Sequence, residues 1–268
     1  MLKQRFLTVL IILPPVVVAV WFDEPLPWFT VLVAIWGVLA VLEFYNMVKT
    51  TKALPLTGFG LLWTLLFILS PHFDYAYLNQ LLLTSAVVLP PIWLLVRRQK
   101  EGAFLSWAWT IAGILFVGWL LGHLVALREL DFGRGWVFFA LFTTFASDST
   151  AFLTGRAWGR HRLAPTISPG KTWEGAIGGV LGAIVVGLLL VKLLNLPLSF
   201  SYAQAIPLAL AVSVFGQAGD LVESLFKRNM GVKDSGRAMP GHGGFLDRID
   251  SIVFAGVVVY YYVILLGG

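Results

Sequence analysis

Apolar runs of about 18 residues or more recur along the whole chain, and they constrain its fold more than any other feature. Each run can cross a bilayer core about 30 Å thick when it is helical. The chain is therefore expected to be an all-α polytopic membrane protein. We predict about nine transmembrane helices, near residues 5–22, 26–47, 54–72, 78–96, 103–127, 136–154, 173–194, 202–226 and 246–266.

The composition favours one membrane domain without a separate soluble domain. Of the 268 residues, 58% are hydrophobic and 12% are charged, whereas a soluble domain normally carries about twice that charged fraction. No long polar segment interrupts the apolar runs, so we predict a single transmembrane domain over residues 1–268. The absence of cysteine excludes disulfides, thiolate zinc sites and thiol nucleophiles.

The basic residues predict the orientation, because cytosolic loops of membrane proteins are enriched in lysine and arginine. With the N-terminus in the cytosol, nine alternating spans leave only Arg128, Arg134 and Lys192 of the 19 basic residues on the outer side. This asymmetry favours a cytosolic N-terminus and a C-terminus outside. Glu43 and Lys192 lie near span ends, and we expect both to extend their charged groups toward the membrane interface.

Several acidic residues lie in the predicted spans or at their cytosolic ends. They come from different spans but share one depth: Asp148, Glu174, Asp220, Glu223, Asp247 and Asp250. A carboxylate in the bilayer costs several kcal/mol unless it is paired, protonated or bound to a cation. Structural ion pairs with nearby basic residues explain any single acid, whereas the whole set favours a site for cations and polar substrate groups.

The ends of the last two predicted spans suit phosphate chemistry. Asp220 and Glu223 fall on one helix face, as do Asp247 and Asp250. Aspartates from two helices can hold a divalent ion against phosphate oxygens, and hard oxygen ligands favour Mg²⁺ or Mn²⁺. Between these helices, three glycines surround His242, which permits close backbone approach.

A second polar loop, residues 155–175, contains Gly170, Lys171 and Thr172 in sequence. It is not a Walker A motif, which requires a glycine where this chain has Pro165. A helix that starts at Thr172–Trp173, directly after Lys171, still suits a phosphate group because helix N-termini attract anions. The alternative interpretation is a plain basic loop on the membrane surface.

Residues 224–250, SLFKRNMGVKDSGRAMPGHGGFLDRID, resemble the signature of the phosphatidate cytidylyltransferase (CDP-diacylglycerol synthase) family. The signature residues in register are Ser224, Lys227, Arg228, Lys233, Asp234, Gly236, Pro240, His242, Gly243, Gly244, Asp247, Arg248 and Asp250. Met239 stands where Ile, Leu or Phe is more usual, and it is also apolar. Residues 148–151, residues 168–175 and Asp220 also resemble the family, so the motifs cover about the C-terminal half.

The resemblance implies transfer of the cytidylyl group of CTP to phosphatidic acid, with release of pyrophosphate. It implies a multi-pass enzyme of the bacterial inner membrane, with its active site on the cytosolic side. It also implies a homodimer that depends on Mg²⁺ (or Mn²⁺), with a monovalent cation such as K⁺ beside it. We expect the catalytic helices and loops in residues 136–268, structural N-terminal helices in residues 1–135, and no nucleic-acid partner.

The resemblance also implies roles for individual residues. Metal ligation falls to Asp220 and Asp247, with Asp148 as the next candidate. Besides these two metal ligands, the expected catalytic residues are Lys171, Lys227, Arg228 and His242. His242 either donates to a phosphate or orders its glycine-rich loop. The expected substrate-binding residues are Ser168, Ser224, Lys233, Asp234, Gly243, Gly244, Arg248 and Asp250.

Two other functions stay open at this point. A CTP-dependent polyprenol or lipid kinase would share the basic inner loops but would release CDP in place of pyrophosphate. An ion-coupled transporter would place charges near the bilayer midplane and would show two related halves with broken helices. In this chain the acids crowd one side of the membrane, and no internal repeat is apparent.

Overall fold

The computed structural model describes residues 13–22, 24–51, 53–98, 101–194, 196–197, 200–236, 238 and 243–266. These residues are almost entirely helical: α1 (13–21), α2 (Trp28–Lys49), α3 (Thr57–Leu69), α4 (Leu78–Val96), α5 (Ala103–Gly113), α6 (Leu120–Glu129), α7 (Gly133–Trp158), α8 (Trp173–Leu193), α9 (Tyr202–Asn229) and α10 (Asp250–Leu266). Short 3₁₀ turns lie at Ser70–His72 and Leu246–Arg248, and a π-helical segment at Ile114–Trp119 joins α5 to α6. The strands β1 (Arg162–Ala164) and β2 (Ser168–Thr172) form an antiparallel hairpin.

The helices confirm the prediction of an all-α polytopic membrane protein. Six helical stretches of the described residues are long and apolar enough to cross a membrane: Trp28–Lys49, Leu78–Val96, Ala103–Glu129, Gly133–Trp158, Trp173–Leu193 and Tyr202–Asn229. Thr57–His72 and Asp250–Leu266 are apolar but shorter. Of the first predicted span, residues 5–12 lie outside the described residues. The count of nine spans stays a prediction.

The described residues fall into two compact units. The first consists of residues between Met1 and Ala126 together with Asn229–Arg248, and the second consists of Leu127–Arg228 together with residues from Ile249 onward. The segment that follows α9 thus belongs with the N-terminal helices, although it lies in the C-terminal half of the chain.

Tyr45 organises the helix packing of the first unit. Its side chain is fully buried, and its hydroxyl donates to the carbonyl oxygen of Thr110 at 2.8 Å. A Cβ atom at Gly60 or at Gly113 would collide with the Tyr45 ring. These two glycines therefore allow α3 and α5 to close around an aromatic ring of α2, so that three apolar helices share one core.

Small residues bring α8 against α7 in the second unit. Residues 175, 179, 183 and 187 are small and repeat every four positions, which predicts a face for close helix packing. A Cβ at Gly179 would lie 3.1 Å from Ala151 Cβ and 3.1 Å from the carbonyl oxygen of Ser147, both on α7. Ala183 is fully buried. The predicted packing face is confirmed.

The hairpin of the second unit leads directly into α8. Thr172 ends β2, and its Oγ1 accepts a hydrogen bond from the backbone N–H of Gly175 at 3.1 Å. This N-cap satisfies one of the otherwise unpaired amides of the first helical turn. The predicted helix start at Thr172–Trp173 is therefore confirmed. Glu174, in the same turn, accepts from the backbone N–H groups of Arg160 and His161 and holds the other end of the hairpin to the helix.

Candidate active site

The last turns of α9 carry two acidic side chains followed by two basic ones. Glu223 and Lys227 are buried, and Lys227 Nζ lies 2.8 Å from Glu223 Oε2. One turn earlier, Ser224 Oγ lies 3.4 Å from Asp220 Oδ1. The i, i+4 spacing of both pairs places these groups on one side of the helix.

The hairpin brings a second lysine to this helix end. Lys171 on β2 places its Nζ 2.9 Å from Asp220 Oδ2, and both side chains are partly exposed, at 24% and 35%. Arg228 Nε donates to the carbonyl oxygen of Ile167 at 3.1 Å, which ties the hairpin turn to the end of α9. The two sequence motifs at residues 168–175 and 220–228 therefore form one site within the second unit.

Two further carboxylates from other helices belong to this cluster. Asp250, in the first turn of α10, interacts electrostatically with Asp220, Glu223 and Asp148. Gly219 on α9 allows α10 to approach α9 closely, because a Cβ at this position would collide with the carbonyl oxygen of Asp250. The second unit thus gathers acids from α7, α9 and α10, and like charges at this proximity must be balanced by cations or protons.

Asp247 belongs to the first unit, where three donors surround one of its oxygens. Its Oδ2 accepts from the backbone N–H of Ser235 at 2.9 Å, from Ser235 Oγ at 2.8 Å and from the backbone N–H of Gly244 at 2.7 Å. Gly243 has a φ of +83°, a left-handed conformation that glycine adopts without strain. A Cβ at this position would also collide with the Asp247 carboxylate.

Glu43 on α2 joins the same hydrogen-bonded group, which sequence analysis did not anticipate. Its Oε2 accepts from the backbone N–H of Leu246 and from Ser235 Oγ, each at 3.0 Å. Its carboxylate is therefore bound by the loop, and the expectation that Glu43 extends toward the membrane interface stays a prediction. Lys192 is exposed, and its extension toward the membrane interface also stays a prediction. The only sequence signal for Glu43 was an acidic residue inside an otherwise apolar span.

The other predicted site residues have clear positions. Lys233, Asp234 and Arg248 are exposed in the first unit, and Ser168 is half-buried where β2 begins in the second. His242 lies outside the described residues. The predicted metal pair is divided, since Asp220 belongs to the second unit and Asp247 to the first. Their convergence on one ion stays a prediction.

The donor groups of the second unit suit a hard divalent ion. Among the described residues, no group of three or more His, Cys, Asp or Glu side chains is arranged to hold a metal. Mg²⁺ characteristically uses only one or two protein carboxylates and completes its octahedron with water and substrate phosphates. Asp220 fits the role of such a carboxylate ligand, because it is partly exposed. Its carboxylate also already lies beside one cationic group, the ammonium group of Lys171.

Comparison with known proteins identifies the family. The profile of the Cytidylyltransferase family matches residues 3–266. The phosphatidate cytidylyltransferase of Bacillus subtilis (strain 168) is 35% identical over 243 residues, which cover 87% of each chain. That of Staphylococcus saprophyticus is 36% identical over 218 residues, 81% of this chain and 82% of the relative. That of Brucella abortus (strain 9-941) is 42% identical over 170 residues, 63% of this chain and 60% of the relative.

These matches run through both halves of the chain, including the N-terminal helices that carry no recognisable motif. They also agree with the signature in residues 224–250, in which Gly243, Gly244 and Asp247 make the contacts described above. The chain therefore belongs to the cytidylyltransferase family.

Proposed function

We propose that this protein transfers the cytidylyl group of CTP to phosphatidic acid, giving CDP-diacylglycerol and pyrophosphate. The observation that carries the proposal is the similarity to proteins named phosphatidate cytidylyltransferase over 87% of the chain. The basic hairpin and the end of α9 support it, because they place Lys171 and Lys227 beside carboxylates and Arg228 against the hairpin turn, all in one unit.

In the proposed mechanism, an oxygen of the phosphatidate phosphate attacks the α-phosphorus of CTP. A new P–O bond forms as the bond between the α-phosphorus and the bridging oxygen breaks, and that oxygen leaves with pyrophosphate. Lys171, Lys227 and Arg228 stabilise the negative charge that spreads over the phosphoryl oxygens, with Lys233 and Arg248 as further phosphate ligands. No covalent protein nucleophile is needed, since positioning and charge neutralisation lower the barrier.

We also propose that the reaction uses Mg²⁺ or Mn²⁺, with K⁺ as a candidate monovalent ion. The residues that would hold the divalent ion are Asp220 and Asp247, with Asp148 next. When bound, the ion neutralises charge on the phosphate oxygens. Excess EDTA is expected to stop turnover and added Mg²⁺ to restore it. Full turnover in EDTA would exclude the divalent ion from the reaction.

The finer architecture belongs to the same proposal. We infer nine spans with a cytosolic N-terminus and an external C-terminus, in the inner membrane of a bacterium. The active site then faces the cytosol, where CTP is available, while phosphatidic acid arrives from the bilayer. The functional unit is proposed to be a homodimer. Residues 136–268 would carry the chemistry, within one transmembrane domain.

A labelling experiment tests the proposed reaction. Purified protein is incubated with phosphatidic acid, Mg²⁺ and CTP labelled at the α-phosphorus, and the lipid fraction is then counted. We expect label in the lipid and stoichiometric release of pyrophosphate. A lipid kinase would instead incorporate label from the γ-phosphate and release CDP. If neither CTP labelled at the α-phosphorus nor CTP labelled at the γ-phosphorus gives labelled lipid, both the cytidylyltransferase and the lipid kinase activities are rejected.

A further inference from the structure

One face of α2 holds the segment that follows α9. Trp36 Nε1 donates to the carbonyl oxygen of Phe245 at 3.0 Å, and Thr50 Oγ1 donates to the carbonyl oxygen of Met230 at 2.8 Å. At 1.5 Å per residue, these two anchors lie about 21 Å apart along the helix. Glu43 lies midway between them on α2, so its contacts belong to an extended docking face.

Glu43 joins the two limbs of this segment. Ser235 lies on the limb that leaves α9, and Leu246 lies on the limb that leads to α10. Both donate to the same oxygen, Glu43 Oε2, at 3.0 Å. A single half-buried carboxylate therefore holds together two stretches of backbone that are separated by the tip of the loop. Hydrogen bonds to a charged acceptor are stronger than those to a neutral one.

Two glycines of the loop make room for Glu43. A Cβ at Gly236 would collide with Glu43 Oε1, and the three atoms nearest to it all belong to Glu43. A Cβ at Gly244 would collide with Glu43 Oε2 and Ser235 Oγ. Both glycines belong to the signature in residues 224–250, whereas Glu43 lies far outside it. The glycines are thus explained by a partner from the N-terminal half.

Ser235 links Glu43 to Asp247. Its hydroxyl lies 3.0 Å from Glu43 Oε2 and 2.8 Å from Asp247 Oδ2, and its backbone N–H also donates to Asp247 at 2.9 Å. A serine hydroxyl carries one proton, which the two carboxylates must share. A shift of the Glu43 carboxylate therefore changes the hydrogen bonding of Asp247 directly.

We propose that Glu43 is a positioning residue for the transfer reaction. It holds residues 234–236 and 243–247, which belong to the two limbs, against α2 and thereby fixes the orientation of the Asp247 carboxylate. Its effect on turnover rests on the proposed function, in which Asp247 takes part, whereas the anchoring of the loop does not. The N-terminal half thus supplies a side chain that the reaction needs, beyond forming the membrane scaffold.

Limited proteolysis measures the anchoring without any substrate. Trypsin cleaves after Lys233, which is exposed, once the surrounding backbone opens. We expect Glu43→Ala to raise the cleavage rate at Lys233 at least tenfold in the detergent-purified protein. Glu43→Gln should give an intermediate rate, because its amide oxygen accepts the same donors without the charge. The matched control is Glu24→Ala, an exposed glutamate of the same unit, which should cleave at the wild-type rate.

A double-mutant cycle tests the contact itself. Gly236→Ala should also speed cleavage, because the new Cβ displaces the Glu43 carboxylate. In a Glu43→Ala background the new Cβ meets no carboxylate. Adding Gly236→Ala to that background should therefore change the cleavage rate less than twofold. Independent, multiplicative effects of the two substitutions would overturn the proposal. If Glu43→Ala does not fold, the other two variants still test the proposal. Cleavage at the wild-type rate in both Glu43→Gln and Gly236→Ala would overturn it.

Steady-state kinetics then test whether the contacts of Glu43 affect the reaction. For Glu43→Ala we expect kcat to fall at least tenfold and the KM for CTP to rise, with a Tm within a few degrees of wild type and partial recovery in Glu43→Gln. A lower Tm and a smaller active fraction with unchanged KM would indicate a general stability role and reject positioning. If wild-type protein forms no CDP-diacylglycerol, the proposed function fails, while the proteolysis cycle still decides whether Glu43 anchors the loop.

Discussion

At the scale of single residues, the second unit pairs a lysine from a hairpin with an aspartate from a membrane helix. Lys171 Nζ and Asp220 Oδ2 are 2.9 Å apart, and both side chains are partly exposed, although the Nζ atom itself is buried. An exposed ion pair by itself contributes little to stability, at most about 1 kcal/mol. The value of this pair therefore lies in its proposed chemistry, in which Lys171 would contact a phosphate group and Asp220 a metal ion.

Replacement of Lys171 should reduce turnover far more than stability. We expect Lys171→Ala to lower kcat about 10²- to 10³-fold, the usual cost of removing one preorganised group that stabilises developing charge. Lys171→Arg should retain more activity because it keeps the charge. Lys192→Ala, an exposed lysine at the other end of α8, is the control. Activity of Lys171→Ala within threefold of wild type would contradict a phosphate-binding role.

Asp247→Asn tests the charge of a carboxylate whose surroundings are known in detail. The asparagine oxygen can still accept from the N–H groups of Ser235 and Gly244, so the protein should stay folded. If the carboxylate charge supports the divalent ion, turnover should fall about 10³-fold or more, equivalent to about 4 kcal/mol. Assays in vesicles with saturating Mg²⁺ measure the effect. Asp74→Asn, an exposed aspartate, should behave as wild type.

Residue contacts could be predicted only where the pattern is local. Helical spacing places Asp220 beside Ser224, and the helix start at Thr172 places Lys171 at an N-terminus, so both features followed from neighbouring positions. Glu43 could not be assigned, because its partner Leu246 is 203 positions away. No periodicity links two residues at that separation, and only tertiary packing brings them into contact.

At the scale of helices and strands, small residues decide which helices can touch. On α8, a Cβ at Gly178 would collide with the Thr154 side chain of α7, whereas on α3 a Cβ at Gly58 would meet no atom within 4 Å. The repeat of small residues was readable from the sequence, but the identity of the partner helix was not. In a membrane, such close contacts supply van der Waals packing where the hydrophobic effect between helices is absent.

Gly178→Ala should therefore destabilise the protein although alanine is the better helix former. Overpacking of a tight contact costs about 1–3 kcal/mol, which exceeds the gain of about 1 kcal/mol from helix propensity. For a chain of this size, each kcal/mol corresponds to about 2–4 °C in Tm. Thermal unfolding in detergent should show a lower Tm for Gly178→Ala and an equal or higher Tm for the control Gly58→Ala. Equal Tm shifts in the two variants would contradict the packing.

At the scale of the whole molecule, apolar runs predicted the fold class, and the described helices confirm it. The number of spans was less predictable, because Thr57–His72 and Asp250–Leu266 are apolar but short of a full crossing. The grouping of Asn229–Arg248 with the N-terminal helices was not predictable either. Side-chain hydrogen bonds to distant positions, such as those from Trp36 and Thr50, accompany that grouping, and hydropathy does not report them.

The predicted orientation can be tested directly, because the chain has no cysteine that would react in the background. Thr166→Cys lies in the hairpin turn, which nine spans place in the cytosol, and Asp131→Cys lies between α6 and α7, which they place outside. A membrane-impermeant maleimide applied to intact cells should label Asp131→Cys only. Labelling of Thr166→Cys under the same conditions would reverse the predicted orientation.

The wide separation between Glu43 and its donors has a consequence for biosynthesis. Ribosomes add about 5–20 residues per second, so the 203 positions between Glu43 and Leu246 take about 10–40 s to translate. Throughout that interval the nascent protein presents an acidic side chain from α2 whose docking partners do not yet exist. Quality-control proteases and insertion chaperones would therefore meet an incomplete molecule in which the Glu43 carboxylate still lacks its hydrogen-bond donors. Only synthesis of the final segment would supply them.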